Sequence, residues 1–402
     1  MDRLAAVERA LRTAAPHELL DVVTVAMRQH YDAIDVELRM VDYGLRSLQV
    51  VEPVPHTSAA VPIAGSPQGR AFGAPDPVVV PDAAARTVTV HLAVSVRGDR
   101  VGVLSVVLRQ DAGVHALLPE LGHLCKALGH EIMVAERDTD LYLLARRASR
   151  LTLAAEMQWQ LLPGRSCRRT EFALGAHLEP AYSIFGDNFD WSASADHLTL
   201  AITNGMGEGI EAALLTNLAV NAMRNARRAG LSLADQASLA DQAIYAQYRG
   251  AAHVSMLLLR FELASGQGEV VEAGSPRAWR MRDSKVEALD FDAQLPLGMF
   301  EETPYVSERF HVLPGDRLLF ASDGVYDTPF QAGEHYGEQA LARSLNANRL
   351  LPAAQVPQAI LRELADHRGV TPLDDDALVV CLDWYGGGKD GADPLTEPSG
   401  ED

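Results

Sequence analysis

The sequence predicts a protein of mixed helix and sheet with two domains, an α+β domain followed by an α/β domain. The chain has 402 residues, too many for one ordinary core, and 48% of them are hydrophobic, enough to fill two. Helical and strand-like periodicities occur in both halves. Between the halves, residues 136–162 contain no proline or glycine, which is typical of a connecting helix.

The chain begins with apolar residues at helical spacing, and strand-like segments follow them. Apolar residues recur every three or four positions from Leu4 to Met27, with a break near Pro16 that predicts two short helices. Strands are expected at 35–41, 78–80, 88–94 and 101–106, the last two flanking the turn Arg97-Gly98-Asp99-Arg100. Helical spacing returns from Leu117 to Ala135. These elements predict a small α+β domain over residues 1–135.

This first segment resembles a GAF domain. The resemblance rests on Ser66-Pro67-Gln68-Gly69-Arg70-Ala71-Phe72, on the hairpin between Val94 and Leu104, and on the closing helix. It implies a sensory or dimerisation domain. Many GAF domains bind no small molecule, so a sensor and a scaffold without ligand are both open.

Residues 136–163 form the predicted helical linker. Its apolar seam has heptad-like spacing and runs through Leu141, Leu144, Ala148, Leu151, Ala155, Gln158 and Leu162. Such a narrow stripe indicates contact with a partner helix, which predicts a homodimer through the GAF-like domain and the linker. Docking of the stripe on its own domain is the alternative. Pro163-Gly164 ends the helix.

The C-terminal part, residues 164–385, alternates strands and helices. Strands are expected at 198–202, 254–259, 317–321 and 377–382, and helices at 209–228, 233–248, 339–345 and 353–367. This order predicts a sheet-rich, layered α/β domain. Residues 386–402 are rich in glycine, proline and acidic residues, which is typical of a disordered tail.

Composition limits the classes of partner. The formal net charge of −19 argues against a nucleic acid or an anionic membrane surface, because both are bound through cationic patches. A protein partner or a cation fits better. The three cysteines, Cys125, Cys167 and Cys381, have neither zinc-site nor disulfide spacing. Without an apolar signal core or a run of about 20 apolar residues, a soluble cytoplasmic protein is expected.

Four short motifs in the C-terminal part carry acidic or amide residues behind strand-like runs. They are Phe185-Gly186-Asp187-Asn188-Phe189-Asp190, Asn204-Gly205-Met206-Gly207-Glu208-Gly209, Ser322-Asp323-Gly324-Val325 and Asp374-Asp375-Asp376. Oxygen ligands at strand ends can converge on a hard cation such as Mg²⁺ or Mn²⁺. Each motif alone also fits a turn or a solvated loop. Their order and context predict metal-assisted phosphate chemistry.

From Leu151 to Trp384 the chain resembles the SpoIIE-type branch of the PPM (type 2C) metal-dependent protein serine/threonine phosphatases. The other matching segments are Gln158-Trp159-Gln160-Leu161-Leu162-Pro163, Ala273-Gly274-Ser275-Pro276, Leu295-Pro296-Leu297-Gly298 and Pro314-Gly315-Asp316-Arg317-Leu318-Leu319-Phe320. The resemblance implies an αββα sandwich with two Mn²⁺ or Mg²⁺ ions, whose shared water attacks a phosphoserine or phosphothreonine. By position it implies that the metal-site and catalytic residues are Asp187, Asn204, Asp323 and Asp374, with the carbonyl of Gly205 as a further ligand.

The chain departs from the family pattern at the metal motifs. Asn204 stands where the family has the ligand that bridges both ions, and its amide offers one neutral oxygen where a carboxylate offers two anionic ones. Phe185 replaces the first glycine of the family's Gly-Gly-Asp motif, and Ala377 replaces a threonine.

Two hypotheses follow. The first is a phosphatase, regulated by the GAF-like sensor, that acts on a phosphorylated bacterial signalling protein; an anti-sigma antagonist is the example that the family suggests. The second is a pseudophosphatase that binds a phosphoprotein without turnover, because Asn204 has removed the bridging ligand.

Other polar groups have plainer explanations. His253, before a strand, fits a structural or surface histidine better than an acid or a base. Arg224, Arg227 and Arg228 complement the dipole at a helix C-terminus and fit a solvated face. The glycine-rich segment 205–209 lacks the lysine and the spacing of a phosphate-cradling loop, which argues against nucleotide binding.

Overall fold

A computed structural model of the protein describes residues 3–52, 58–148, 151–180, 185–328, 337–368 and 373–387. The chain divides into two compact units, residues 1–151 and residues 152–402. Most of the expected disordered tail, residues 388–402, lies outside the described residues. Within the described ranges, none of the helices combines the length and the apolar composition that crossing a bilayer demands.

The first unit is an α+β unit built on one antiparallel sheet. Its helices are α1 (Arg3–Thr13), α2 (Leu19–Tyr31), α3 (Pro67–Gly73), α4 (Val114–Ala135) and α5 (Leu141–Ala145), with a 3₁₀ turn at Pro16–Glu18. Its strands are β1 (Asp35–Val41), β2 (Ser47–Val50), β3 (Val61–Pro62), β4 (Val78–Asp82), β5 (Thr87–Val96) and β6 (Asp99–Arg109). The strand order is β3-β2-β1-β6-β5-β4.

The predicted hairpin and closing helix of this unit are both present. Strands β5 and β6 are joined by Arg97 and Gly98, whose φ angles of 51° and 95° suit a two-residue hairpin turn. The main core contains residues of α1, α2, α4 and the sheet, while Ala71 and Phe72 of α3 belong to a separate cluster with Val41 and Val103. The α+β class is therefore confirmed for this unit, and the resemblance to a GAF domain stays a prediction.

The expectation of one continuous linker helix from 136 to 162 is wrong. Helix α4 ends at Ala135, and α5 is a separate five-residue helix whose Tyr142 and Ala145 belong to the core of the first unit. The next helix, α6 (Leu153–Leu161), begins afresh at Thr152, whose hydroxyl accepts a hydrogen bond from the amide of Ala155. Threonine can compete for backbone hydrogen bonds in this way, so it favours a helix start over a helix interior.

The second unit is the predicted four-layer sandwich. Its further helices are α7 (Gly209–Arg228), α8 (Leu233–Tyr248), α9 (Asp323–Tyr326), α10 (Gly337–Ala347) and α11 (Val356–Arg368). Its strands are β7 (Ser166–Arg168), β8 (Phe172–Glu179), β9 (Asp187–Ala193), β10 (His197–Gly205), β11 (Val254–Glu262), β12 (Gln267–Ala273), β13 (Arg277–Arg282), β14 (Lys285–Leu289), β15 (Glu308–His311), β16 (Arg317–Ala321) and β17 (Ala377–Trp384).

Two sheets face each other in this unit, and helices cover both outer faces. The orders are β15-β12-β11-β10-β9 and β14-β13-β16-β17-β8-β7. Apolar side chains of both sheets, such as Phe189 and Phe320, share the central core. Helices α7 and α8 pack on the first sheet and α10 and α11 on the second. Burial on both faces explains why β10, β11, β16 and β17 read as nearly continuous apolar runs.

Candidate functional site

The first sheet contributes Asp187 and Asn204, which are neighbours on adjacent strands. Asp187 begins β9 and Asn204 lies one residue from the end of β10, and the antiparallel register pairs the two directly. The glycines beside them allow α7 to approach, because a Cβ on Gly205 would lie 2.4 Å from Oγ1 of Thr216. That hydroxyl donates a hydrogen bond of 2.8 Å to the carbonyl of Gly186. Helix α7 thus fixes the backbone of both positions.

The second sheet contributes Asp323 and the acidic run before β17. Asp323 is the first residue of α9, directly after β16, while Asp376 directly precedes β17. The hydroxyl of Ser322 accepts a hydrogen bond of 3.0 Å from the amide of Leu378, which ties the two segments together. A Cβ on Gly324 would lie 1.9 Å from the carbonyl oxygen of Asp376, so this close approach requires glycine.

Asp187 is a buried carboxylate surrounded by other carboxylates. Among the described residues neither of its oxygens has a hydrogen-bond partner of normal geometry. Burial raises the pKa of Asp187 well above its usual range, and the charges of Asp376, Asp375 and Asp323 raise it further, while the nearby Ser322 hydroxyl acts in the opposite direction. Burial and the charge of Asp323 likewise raise the pKa of Asp375 to about 7. The site therefore holds more negative charge than the protein around it neutralises.

Asn204 makes a direct link between the two sheets. Its Nδ2 donates a hydrogen bond of 2.7 Å to Oδ1 of Asp323. A carboxylate at position 204 could not make this bond, because it has no proton to donate when ionised. The amide thus reduces the repulsion in the cluster and also occupies one oxygen of Asp323.

Asp376 accepts hydrogen bonds from two residues that are far from it in the sequence. Its Oδ2 accepts hydrogen bonds from Nε2 of Gln158, at 2.8 Å, and from the amide of Phe185, at 3.0 Å. The same Nε2 donates to the carbonyl of Asp187, at 3.0 Å. Gln158 lies on α6, so this helix contacts two of the segments that form the site.

The structure brings together most, but not all, of the residues expected at the site. Asp187, Asn204 with Gly205, and Asp323 converge, whereas Asp374 is exposed to solvent. Asp375 and Asp376 are the members of that acidic run whose charges act on Asp187. The assignment of individual metal ligands stays a prediction.

The donor set suits a hard divalent cation. All the candidate ligands are oxygens, and the buried oxygens of Asp187 have no partner among the described residues, which is an environment that a cation would relieve. In the part of the chain that the structure describes, no three His, Cys, Asp or Glu side chains already stand in the arrangement of a bound ion. The residues thus fit a metal by chemistry and location.

One subsidiary expectation, that for Arg224 and Arg227, is wrong. Arg224 and Arg227 do not form a solvated face: Arg224 donates to Oδ1 of buried Asp190 at 2.7 Å and Arg227 to Oδ2 at 2.8 Å. Arg228 is exposed, as expected. His253 has a structural backbone role, because its carbonyl accepts a hydrogen bond of 3.0 Å from the amide of Met206, in the motif after Asn204.

Comparison with known proteins identifies relatives of the C-terminal part. Residues 194–385 match the family model described as Stage II sporulation protein E (SpoIIE). The phosphoserine phosphatase RsbU of Bacillus subtilis (strain 168) is 21% identical over 207 residues, which cover 51% of this chain and 62% of RsbU. The chain thus spans less than two thirds of that relative.

Solved structures also resemble the C-terminal part. The SiaA-PP2C domain of Pseudomonas aeruginosa is 22% identical and the match covers 52% of this chain and 84% of that domain, with a TM-score of 0.47. The catalytic domain of the serine threonine protein phosphatase PstP, solved in complex with two manganese ions, is 17% identical over 53% of this chain and 98% of that domain, with a TM-score of 0.40.

Proposed function

We propose that this chain, whose residues 194–385 match the SpoIIE family model, contains a phosphatase domain of the PP2C family and is a metal-dependent phosphatase of a phosphorylated signalling protein. The observation that carries the proposal is Asp187, a buried carboxylate with no partner among the described residues, surrounded by three other carboxylates. Such a cluster favours binding of divalent cations, and members of the PP2C family bind two Mn²⁺ or Mg²⁺ ions.

Some residues of the site would bind the cations, and others would hold the backbone around the ligands in place. Asp187, Asp323 and the acidic run at 374–376 would hold the ions, with Asn204 and the carbonyl of Gly205 beside them. When bound, the two ions supply an activated water and neutralise charge on the phosphoryl group. Thr216 holds the glycine backbone beside the ligands, and Ser322 fixes the two segments that carry the other carboxylates.

A pseudophosphatase is the second candidate, and one contact favours it. The bond from Nδ2 of Asn204 occupies Oδ1 of Asp323, an oxygen that a metal would otherwise use. It also compensates part of the negative charge without a metal. A phosphoprotein-binding role would need no turnover and would tolerate weak cation binding.

Hydrolysis of p-nitrophenyl phosphate with Mn²⁺ separates the two candidates. We expect the unmodified chain to turn over slowly, Asp187→Ala to be inactive and Asn204→Asp to be faster by about tenfold or more, because the restored carboxylate adds anionic charge to the metal site. Asn221→Asp, which places the same charge on the exposed face of α7, is the matched control. Turnover only in Asn204→Asp would make the natural chain a pseudophosphatase.

Regulation by the first unit is part of the proposal. A cavity of about 700 Å³ lies in this unit, lined among others by Leu92, Arg100, His123 and Lys126. Burial lowers the pKa of the Arg100 guanidinium, whose Nη1 donates a hydrogen bond to the backbone carbonyl of Phe72. These features support a sensory role in which a small anionic molecule occupies the cavity.

Homodimerisation is also proposed through this unit and the segment that follows it. At the end of α4, Met133 and Val134 expose 50% and 58% of their surface. A second copy would cover this apolar surface.

The relative RsbU is a phosphoserine phosphatase, which supports a phosphoserine on the partner protein, and an anti-sigma antagonist is the example we favour.

A further inference from the structure

We propose that the surface beside the candidate site binds the polypeptide that flanks the phosphoserine, and that it selects a phosphoprotein with apolar and basic residues there. This inference rests on the proposed phosphatase function, which it deepens by naming the chemistry of the substrate. The surface consists of two segments, residues 206–214 after β10 and residues 293–302 between β14 and β15, and we call it the rim.

The rim adjoins the site at the ends of the strands of the first sheet. Gly205 pairs with Val254 in the antiparallel register, and Val254 exchanges backbone hydrogen bonds of 2.9 and 3.0 Å with Leu297. In the first segment, the amide of Met206 donates to the carbonyl of His253 at 3.0 Å. Three residues of extended chain span about 10 Å, so the residues on either side of a phosphoserine bound at the site reach this surface.

The rim exposes large apolar side chains. They are Met206, Ile210 and Leu214 in the first segment and Leu295 and Phe300 in the second, and each exposes between 44% and 55% of its surface. Ile210 and Leu214 are four residues apart on α7 and therefore share one face of the helix. Large apolar side chains that cluster on the surface, instead of being scattered singly, are typical of a site that binds a protein or a peptide.

The second segment has a firmly anchored backbone beneath its exposed side chains. Buried Asp241 of α8 accepts hydrogen bonds from the amide of Gly298, at 2.7 Å, and from the hydroxyl of Tyr305, at 3.2 Å. A Cβ on Gly298 would lie 2.2 Å from Cγ2 of Ile244, so glycine is required for this close packing on α8. The segment is thus ordered before binding, which lowers the entropic cost of binding a polypeptide.

The charged side chains of the rim are all acidic. Glu208 and Glu211 in the first segment and Glu301 and Glu302 in the second are exposed, and neither segment contains lysine, arginine or histidine. Such a surface attracts lysine or arginine on a partner and repels acidic residues. A second copy of this chain fits the rim less well, because it would bring a formal charge of −19 to an acidic surface. Apolar and basic residues beside the phosphoserine match both properties of the rim.

Binding of fluorescent peptides to the full-length chain with MnCl₂, measured by anisotropy, tests this inference without depending on turnover. Each peptide carries a non-hydrolysable phosphonate in place of phosphoserine, flanked by leucine and arginine in one peptide and by serine and glutamate in the other. We expect the first peptide to bind about tenfold more tightly, because it complements both the apolar and the acidic side chains of the rim.

Serine substitutions in the rim identify the residues responsible. Ile210→Ser and Phe300→Ser should each weaken binding of the leucine- and arginine-flanked peptide about fivefold, and Phe300→Leu should retain it. Leu350→Ser is the matched control, because Leu350 is 87% exposed beside the start of β16, whereas Asp323 follows the end of that strand. Hydrolysis of p-nitrophenyl phosphate should be unchanged in all four variants, because this small substrate has no flanking residues.

The outcomes separate this inference from the proposed function. If both peptides bind equally well, or if the rim variants bind like Leu350→Ser, while Mn²⁺-dependent hydrolysis of p-nitrophenyl phosphate persists, the inference is wrong and the phosphatase proposal stands. Loss of p-nitrophenyl phosphate hydrolysis in Ile210→Ser and Phe300→Ser would also overturn it, since these residues would then support the metal site itself.

Two further results would count against the rim as a substrate surface. If Phe300→Ser converted a dimer into a monomer in light scattering and left peptide binding unchanged, a second copy of this chain would be the occupant. If neither peptide bound and neither the unmodified chain nor Asn204→Asp hydrolysed p-nitrophenyl phosphate, the proposed function would be wrong and the inference with it.

Discussion

Glu272 on β12 is an acid whose surroundings oppose its charged form. Burial raises the pKa of this side chain from 4.5 to about 7; Arg277 acts against the shift, and Asp290 and Glu308 add to it. The folded state therefore retains a proton that the unfolded state releases between about pH 4.5 and pH 7. The contribution of Glu272 to the free energy of unfolding is therefore fully present below about pH 4.5 and is lost as the pH rises to about 7.

The substitution Glu272→Gln should make stability less dependent on pH. At pH 8 we expect the variant to be more stable than the unmodified chain by roughly 1–2 kcal/mol, allowing for solvent screening, and near pH 4.5 the two should be equal. Urea unfolding with EDTA at pH 4.5, 6 and 8 measures the difference. Glu301→Gln, in an exposed segment, is the control, and its stability should show the same pH dependence as that of the unmodified chain. A constant difference at all three pH values would contradict the assignment.

The site shows which residues a sequence can identify. Asp187, Asn204 and Asp323 could be found because each lies at the start or near the end of a recognisable element in a motif of known order. Asp376 could not, because three identical residues precede β17 and only the folded geometry decides which of them is buried. The bond between Gln158 and Asp376 spans 218 residues, so no local pattern reveals it.

At the scale of elements, α7 is held to the first sheet by a buried ion-pair network. Arg224 contributes two bonds to Oδ1 of Asp190 and a third to the carbonyl of Leu161, the last residue of α6. Arg227 binds the other oxygen of Asp190. The network therefore joins α6, α7 and β9, three elements that contribute to the site.

Removal of one arginine should destabilise the second unit. Arg224→Gln leaves buried Asp190 with a single cationic partner, so we expect a loss of about 2–3 kcal/mol in the free energy of unfolding. Arg228→Gln, at the exposed C-terminal residue of the helix, should change it by less than about 0.5 kcal/mol. Urea unfolding monitored by circular dichroism compares the two. Equal effects would mean that the pairs with Asp190 contribute no more than surface charges do.

The elements themselves were predictable to different degrees. Helices α7 and α8 begin and end where their periodicity predicts, because glycine or serine starts each helix and both have a continuous apolar face. The linker helix was not predictable from its seam. Its apolar positions belong to separate cores, since Leu141 packs against the core of the first unit and Leu162 against a core of the second. A heptad-like spacing cannot distinguish one long stripe from two short ones.

At the scale of the whole molecule, each unit has its own hydrophobic core. The core of α1, α2, α4 and their sheet lies in residues 1–151, whereas the core clusters of the sandwich lie in residues 152–402. Because each unit has its own core, we expect each unit to unfold in its own cooperative transition. They also predict that a ligand of one unit raises the melting temperature of that unit, since binding stabilises only the folded state that carries the site.

Differential scanning calorimetry of the full-length chain should therefore show two transitions that respond to different ligands. At an Mn²⁺ concentration about 100 times its dissociation constant, the transition of the second unit should gain about 2.7 kcal/mol, a shift of several degrees. Asp187→Ala should abolish that shift and leave the other transition in place. Citrate, an anionic probe for the cavity at Arg100, should raise only the transition of the first unit, and Arg100→Gln should remove this effect. If Mn²⁺ moved both transitions together, the two units would unfold as one, and the metal site would be coupled energetically to the first unit even though their cores are distinct.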